Sequence, residues 1–294
     1  MNDVPTLFFE QVAFQFLSSK TLSRGSALSG LPGHVASEFY AKRSIHGMWL
    51  RNGRLEQERN VNCEHQQRDI ETLSRKHLRY IGIAISADKK EYNTDPDAIE
   101  RVLSATKGKH VLLTFETPNI SEEIAKCVLS IRFVCDLQFC TKITSEVLKL
   151  TRSLVEKNTL NKMSLGDEIS DGTTQLLVDL LKQKQFNEIL LPAKCSAVLQ
   201  EIIASWKENS SEMAGKKVYC KEGFSKLQLS STEFPFEECT EEEERDARRV
   251  YTFAASYPFD CPITTYSVLR NQNGRAVYCL TIRRCLCNTA YLFV

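Results

Sequence analysis

The chain has no surplus of charge of either sign: 38 Lys and Arg stand against 37 Asp and Glu, a formal net charge of +1. A protein that sheathes a nucleic acid needs a basic excess to displace counterions, so that class is disfavoured. Long apolar runs are also missing. Tyr80 to Ala87 and Ile189 to Pro192 are among the longest, far short of the ~20 residues that cross a bilayer as a helix. The 12 glycines never gather into G-x-G-x-x-G or G-x-x-x-x-G-K-S/T, so no backbone cradle for phosphate is encoded. Gly108-Lys109 stands alone and reads as a loop. No G-x-S-x-G elbow lifts a serine above a strand end. The five histidines, at 34, 46, 65, 77 and 110, lie in the first half while most cysteines come later, which offers little for a thiolate that needs a nearby base. The first residues include Asp3 and Glu10 with no basic residue before Lys20, unlike the basic, apolar, small-residue order of a secretory signal.

What is present describes a folded protein. Over 294 residues the hydrophobic share is 42% and the charged share 26%, close to the globular average and enough to bury a sizeable core. An intracellular location, cytoplasmic or nuclear, is expected from the lack of a signal-like start. There, the odd count of 11 cysteines reads as small apolar residues in thiol form. Cys285-x-Cys287 with Cys279, the pair Cys135 and Cys140, and Cys63 with His65 lack the second tight pair that tetrahedral zinc requires. No cofactor or metal is expected.

The chain divides into four stretches. Residues 1–43 carry Val4, Leu7, Phe8, Val12, Phe16 and Leu17 at helical spacing, then a Ser/Gly-rich break and a second helix through Val35, Phe39 and Tyr40. Residues 44–77 form a connection. Within it, 44–66 read as a hairpin or an irregular connection, with Met48, Trp49 and Leu50 leading into the tight-turn pair Asn52-Gly53. Residues 78–227 alternate β-rich runs, starting at Leu78, His110, Arg132, Leu160, Phe186 and Lys217, with amphipathic helices. Residues 228–294 begin with a charged segment that reads as a linker or surface helix, with Glu241/Arg245 and Glu244/Arg248 at i, i+4. Strands at 266–270 and 276–283 follow, joined at Asn271 to Gly274, with 291–294 alongside.

Strict βα alternation demands parallel strands. Taking Tyr80, Val111, Val134, Met163, Ile189 and Val218 as equivalent gives intervals of 31, 23, 29, 26 and 29 residues. These approach the roughly 20–29 residues of a leucine-rich-repeat turn. The expected fold is therefore α/β, a leucine-rich-repeat-like parallel solenoid with a small N-terminal helical module; a doubly wound α/β sheet is the alternative. Asp95 before Pro96 predicts a capped helix start, and Asn119 with Glu122 resembles a capping box. Trp206 closes an apolar stripe from Val198 and belongs in the core. Trp49 reads as core or as an exposed anchor for a partner. Lys216 and Lys217, or Arg283 and Arg284, could form a local basic patch.

Several blocks bear a likeness to a known group. Val4-Pro5-x-x-Phe8, Leu28-Ser-Gly-Leu31-x-Gly33 with Ala36, and Lys42-Arg43 resemble the opening of the nematode-expanded F-box-like proteins. Gln185-Phe186-x-x-Ile189-x-Leu191, Trp206-Lys-Glu-Asn-Ser210 and Glu212-Met-Ala-Gly215-Lys resemble that family's F-box-associated region. The resemblance implies an N-terminal module that docks on a Skp1-type adaptor of a cullin ubiquitin ligase through Val4, Pro5, Phe8 and Val12, while the remainder presents a surface to a target protein. The expectation is a non-enzymatic protein–protein interaction protein binding neither nucleic acid nor membrane. The alternatives are a diverged member acting as a binding module without a ligase role, or an α/β enzyme whose site is assembled only in three dimensions.

Overall fold

The computed structural model describes residues 9, 25–42, 44–62, 67–68, 78–166, 169, 172–193, 195–220, 236–254, 263–282 and 289–294. The fold is α/β with a mixed sheet, and seven helices lie among the described residues. The chain forms two compact units, one of residues 1–114 with 121–133, the other of 115–120 with 134–294.

In the first unit, β1 (Ser44–Arg51) and β2 (Arg54–Asn62) form an antiparallel hairpin. Its turn is Asn52-Gly53, with φ of 48° and 74°, the left-handed pair whose twist matches the flanking strands. A Cβ on Gly53 would lie 2.7 Å from the Thr94 Cα, and the Gly53 carbonyl accepts from the Asp95 N–H at 2.9 Å. The hairpin is part of the sheet, because β1 runs parallel to β4 (Leu78–Ser86) with Gly47 opposite Gly82. With β3 (Gln67–Arg68) and β5 (His110–Phe115) the strand order is β5-β4-β1-β2-β3.

Three helices belong to this unit: α1 (Gly30–Lys42), α2 (Pro96–Thr106) and α3 (Glu122–Ser130). Asp95 caps α2, its carboxylate accepting from Asp97 N–H at 3.0 Å, with Pro96 at the first helical position. The cap of α3 is Ser121, not Asn119: the Ser121 hydroxyl accepts from Ile124 N–H, while Asn119 N–H donates to Thr117 Oγ1. Asn119 is spent on a turn within the loop, so the helix starts two residues later than the capping-box spacing suggests. Ile81, Ile83, Ile85, Val111, Leu113 and Phe115 alternate as buried residues along β4 and β5, which puts one sheet face under the helices.

In the second unit, β6 (Val134–Phe139), β7 (Lys162–Leu165), β8 (Glu188–Leu191) and β9 (Lys217–Cys220) are parallel neighbours in chain order. Between them run α4 (Ser145–Glu156), α5 (Thr173–Lys182) and α6 (Ser196–Met213). Strands that always add on the same side, by crossovers of one hand, place their helices on one face. The contacts of α4 with α5 and α5 with α6 agree. Strand order within this run never reverses, so it has no switch point of the doubly wound kind.

Within this run the register corrects one equivalence, and in the first unit Tyr80 is another exception, because it alternates with the buried Ile81 and Ile83 whereas Val111 is itself buried. Leu137, not Val134, lies opposite Met163, and Ile189 and Val218 follow,, giving intervals of 26, 26 and 29 residues. Val134 corresponds instead to Leu160 and Phe186, the buried residues two positions ahead of β7 and β8. These lead-in residues are apolar, which is why the sequence extends the strands over them. Backbone bonds join the segments that lead into neighbouring strands, from Asn161 N–H to Cys135 C=O, Asn187 N–H to Asn161 C=O and Lys217 N–H to Asn187 C=O, at 2.7–3.0 Å.

The C-terminal segment adds β10 (Glu237–Glu238), α7 (Glu241–Ala254), β11 (Ile263–Arg270), β12 (Ala276–Ile282) and β13 (Thr289–Phe293). The hairpin of β11 and β12 and the strand alongside it form as expected, and β13 lies between β12 and β9, antiparallel to both,. The charged segment is more than a linker: Ala247 of α7 is buried among Leu190, Tyr219, Val268, Tyr278, Leu280, Ala290 and Leu292. Leu190 and Tyr219 alternate with the residues facing α4–α6, so α7 covers the opposite face of this part of the sheet. Thr240 and Glu243 form its capping box, and Glu243 pairs with Arg270,.

Candidate partner-binding surface

In each unit the sheet presents a second face, and its chemistry differs between the two. In the second unit one rung of that face is a row of charges of alternating sign, Asp136, Lys162, Glu188 and Lys217, from β6 to β9,. Lys162 and Glu188 form an ion pair at 2.5 Å, with the Glu188 side chain only 2% exposed. Burial pushes the Asp136 carboxyl up to about 6; the Lys162 ammonium pulls it down and the Glu188 carboxylate pushes it up. Burial likewise draws the Lys217 ammonium below its ordinary value. Each charge has an opposite neighbour, so this row neutralises itself. Beside it, the cluster around Ala247 is closed by α7.

The second face of the first unit is different. Its outward positions are Ile45, Gly47 and Trp49 on β1, Gln57 and Arg59 on β2, Tyr80, Gly82 and Ala84 on β4, and His110, Leu112 and Thr114 on β5,. Register places Trp49 beside Ala84, Gly47 beside Gly82 and Arg59, and Ile45 beside Tyr80. The Trp49 indole lies over Gly47, where a Cβ would come within 2.5 Å of the ring. The Arg59 guanidinium sits 4.5 Å from the indole centroid, a cation–π pair worth about 0.5–1 kcal/mol at such an exposed position. Ile45 is 38% exposed.

From Tyr80 an aromatic row continues across the strands. The Tyr80 and His110 rings are 6.1 Å apart and those of His110 and Phe133 6.2 Å, within the roughly 4.5–7 Å of interacting aromatic pairs. Phe133 is held by its own backbone, whose carbonyl accepts from Val111 N–H at 2.9 Å. Lys109 Nζ fixes the start of β4 by donating to the Leu78 carbonyl at 3.1 Å. The row ends in a second cation–π pair, Arg132 at 4.9 Å from the Phe133 ring. Both arginines are exposed, and neither has a carboxylate partner among the described residues. Glu56 and Asp88, at the margin beyond Trp49, are both engaged by Arg51.

The buried side of the hairpin is braced by polar contacts. His46 Nδ1 meets Asn60 Oδ1 at 2.8 Å and His46 Nε2 lies 3.6 Å from Glu58. Arg101 of α2 donates two bonds to Glu58, at 2.8 and 2.9 Å. The bond from Arg101 holds the Glu58 carboxyl below its ordinary value against the opposing effect of burial. The strands carrying Trp49 and Arg59 are thereby tied to a helix.

No family model, curated protein or solved structure matches the chain.

The sites expected from sequence fall as follows. Val4, Pro5, Phe8 and Val12 lie outside the described residues, as do His65, His77, Arg283, Arg284, Cys285 and Cys287. Trp206 is a core residue at 0% exposure, edge-on to Phe293. Lys216 and Lys217 do not form a surface patch; both are buried. Lys216 Nζ donates to the carbonyls of Gln183, Lys184 and Phe186 at 2.6–3.2 Å,, fastening the turn after α5. The run from Trp206 to Lys216 thus has structural work: Trp206 and Met213 fill the core, α6 kinks at Asn209, and Gly215 takes φ of 79° ahead of the Lys216 clamp,. Cys135 is buried and Cys140 exposed. No group of three or more His, Cys, Asp or Glu among the described residues is placed to hold a metal ion. No helix among them is long and apolar enough to cross a membrane.

Sequence reading singled out Trp49 but not Arg59, Tyr80, His110, Arg132 or Phe133. The available signal was the outward parity of Tyr80 and His110 beside the apolar inward series Ile81, Ile83, Ile85 and Val111, Leu113, Phe115.

Proposed function

We propose that the chain is a non-enzymatic, intracellular protein-interaction protein that presents a sheet face to a partner. The observation that carries this reading is the face of the first unit, where Trp49 and Phe133 lie under free-ended guanidinium groups with Ile45, Tyr80 and His110 nearby,. Aromatic and arginine side chains are the residues that most often dominate association energies. A leucine-rich-repeat-like stack is the architecture we propose to support it. Sequential parallel strands, helices touching in series and intervals of 26, 26 and 29 residues favour that stack,,.

The role of substrate-recognition adaptor in a Skp1–cullin ubiquitin ligase is the specific form of this proposal, and it rests on the resemblance of Val4, Pro5, Phe8 and Val12 to an F-box. The test uses purified full-length chain against a purified Skp1-type adaptor, with Phe8→Asp/Val12→Asp as control. Capture by the parent and loss in the control supports the adaptor role. Failure of the parent to bind removes it and leaves a binding module without ligase function.

A further inference from the structure

The face of the first unit is selective in charge as well as in shape. The carboxylates at its margin, Glu56 and Asp88, are both taken up by Arg51, whereas Arg59 and Arg132 stand at opposite ends of the aromatic row. A guanidinium stacked on a ring keeps its N–H edge free, and that edge matches a carboxylate in a two-pronged bond. The ends are separated by the steps β2 to β1, β1 to β4, β4 to β5, and β5 to Phe133. At about 4.8 Å per step this is roughly 19 Å, the reach of about six extended residues. Between the ends the floor is low, with Gly47 beside Gly82 and Ala84 beside Trp49, so a chain can lie close to the sheet.

We propose that this face binds an extended acidic segment of a partner protein, laid across the strands, with one carboxylate on Arg59, another on Arg132, and apolar side chains against Tyr80, His110 and Phe133. The assignment rests on the reading of the chain as an interaction protein. A single-stranded nucleic acid is the less favoured occupant, because two guanidinium groups and a net charge of +1 give little counterion release along a phosphate backbone.

The experiment is to pan a displayed library of random dodecapeptides on the full-length chain, then measure the enriched sequences as labelled synthetic peptides by fluorescence anisotropy. The expected winners carry two Asp or Glu residues separated by about five positions, with aromatic or aliphatic residues between. Their affinity falls about fivefold with Arg59→Gln and about fivefold with Arg132→Gln, and it weakens as salt rises. Both arginines are exposed and lose only a weak ring contact, so the variants should melt within a few degrees of the parent. Enrichment of neutral or basic peptides whose binding is lost in Trp49→Ala overturns the acidic assignment while the interaction reading stands. No enrichment over the bare support overturns both. Displacement of the winners by oligo-deoxythymidine, with tight binding of that strand itself, overturns the peptide in favour of nucleic acid.

Discussion

Asp136 is a carboxylate that the fold would rather hold protonated, and replacing it with Asn should stabilise the protein at neutral pH. Its carboxyl is pushed up to about 6 from 3.8, burial being the largest cause and the Glu188 carboxylate a smaller one. The native state then keeps the proton to higher pH than the unfolded chain does. Stability is consequently full below about pH 4 and falls as pH rises through 4 to 6. A displacement of about two pH units corresponds to roughly 3 kcal/mol lost by pH 7. Because the side chain retains partial exposure, we expect Asp136→Asn to recover about 1–3 kcal/mol. The measurement is urea unfolding of parent and variant at a series of pH values, taking the difference between them so that every other titrating group cancels. The variant should be the more stable at pH 7.5 and equal to the parent near pH 3.5. A variant less stable than its parent at neutral pH, or a difference that ignores pH, would show that the row of charges holds Asp136 ionised and would refute the reasoning.

Lys162→Met should destabilise by about 1–3 kcal/mol, because it removes the ion pair of the buried Glu188 carboxylate and leaves Lys217 as its remaining opposite charge; a thermal melt reads this directly. Lys216→Met strips the donor from three carbonyls of the turn after α5, and should cost about 2–4 kcal/mol in denaturant unfolding, with unchanged stability as the refuting result. Glu58→Gln should loosen the hairpin. Since the Glu58 carboxyl is held below its ordinary value, the parent's advantage is full above the unfolded value and disappears as pH falls through the lowered native one. Hydrogen exchange of β2 amides at two pH values would detect that trend or its absence.

The alternation of β-rich runs and amphipathic helices was legible because each element buries one face and so writes its period into the sequence. Ile81, Ile83 and Ile85 mark β4, and Asp95-Pro96 marks the start of α2. Pairings between distant segments leave no such mark. Nothing local says that β1 lies beside β4, or that β13 runs antiparallel between β12 and β9,. The offset between Val134 and Leu137 was hidden because both are buried and apolar. The candidate surface was hardest to read for the same reason: Arg59, Tyr80, His110 and Phe133 meet only once four separate segments are aligned. Ala247 shows the converse case, a small residue in a highly charged helix whose burial depends on strands far along the chain.

The place of β13 bears on how the protein is made. A ribosome finishes the parallel strands β6 to β9 well before it reaches Thr289–Phe293. Until then the outer edge of β9 offers unpaired backbone groups to any neighbouring nascent strand, and Trp206 lacks Phe293, its ring partner. A chain lacking β13 would therefore keep a permanently sticky edge on β9, and it should aggregate or be degraded rather than persist in folded form.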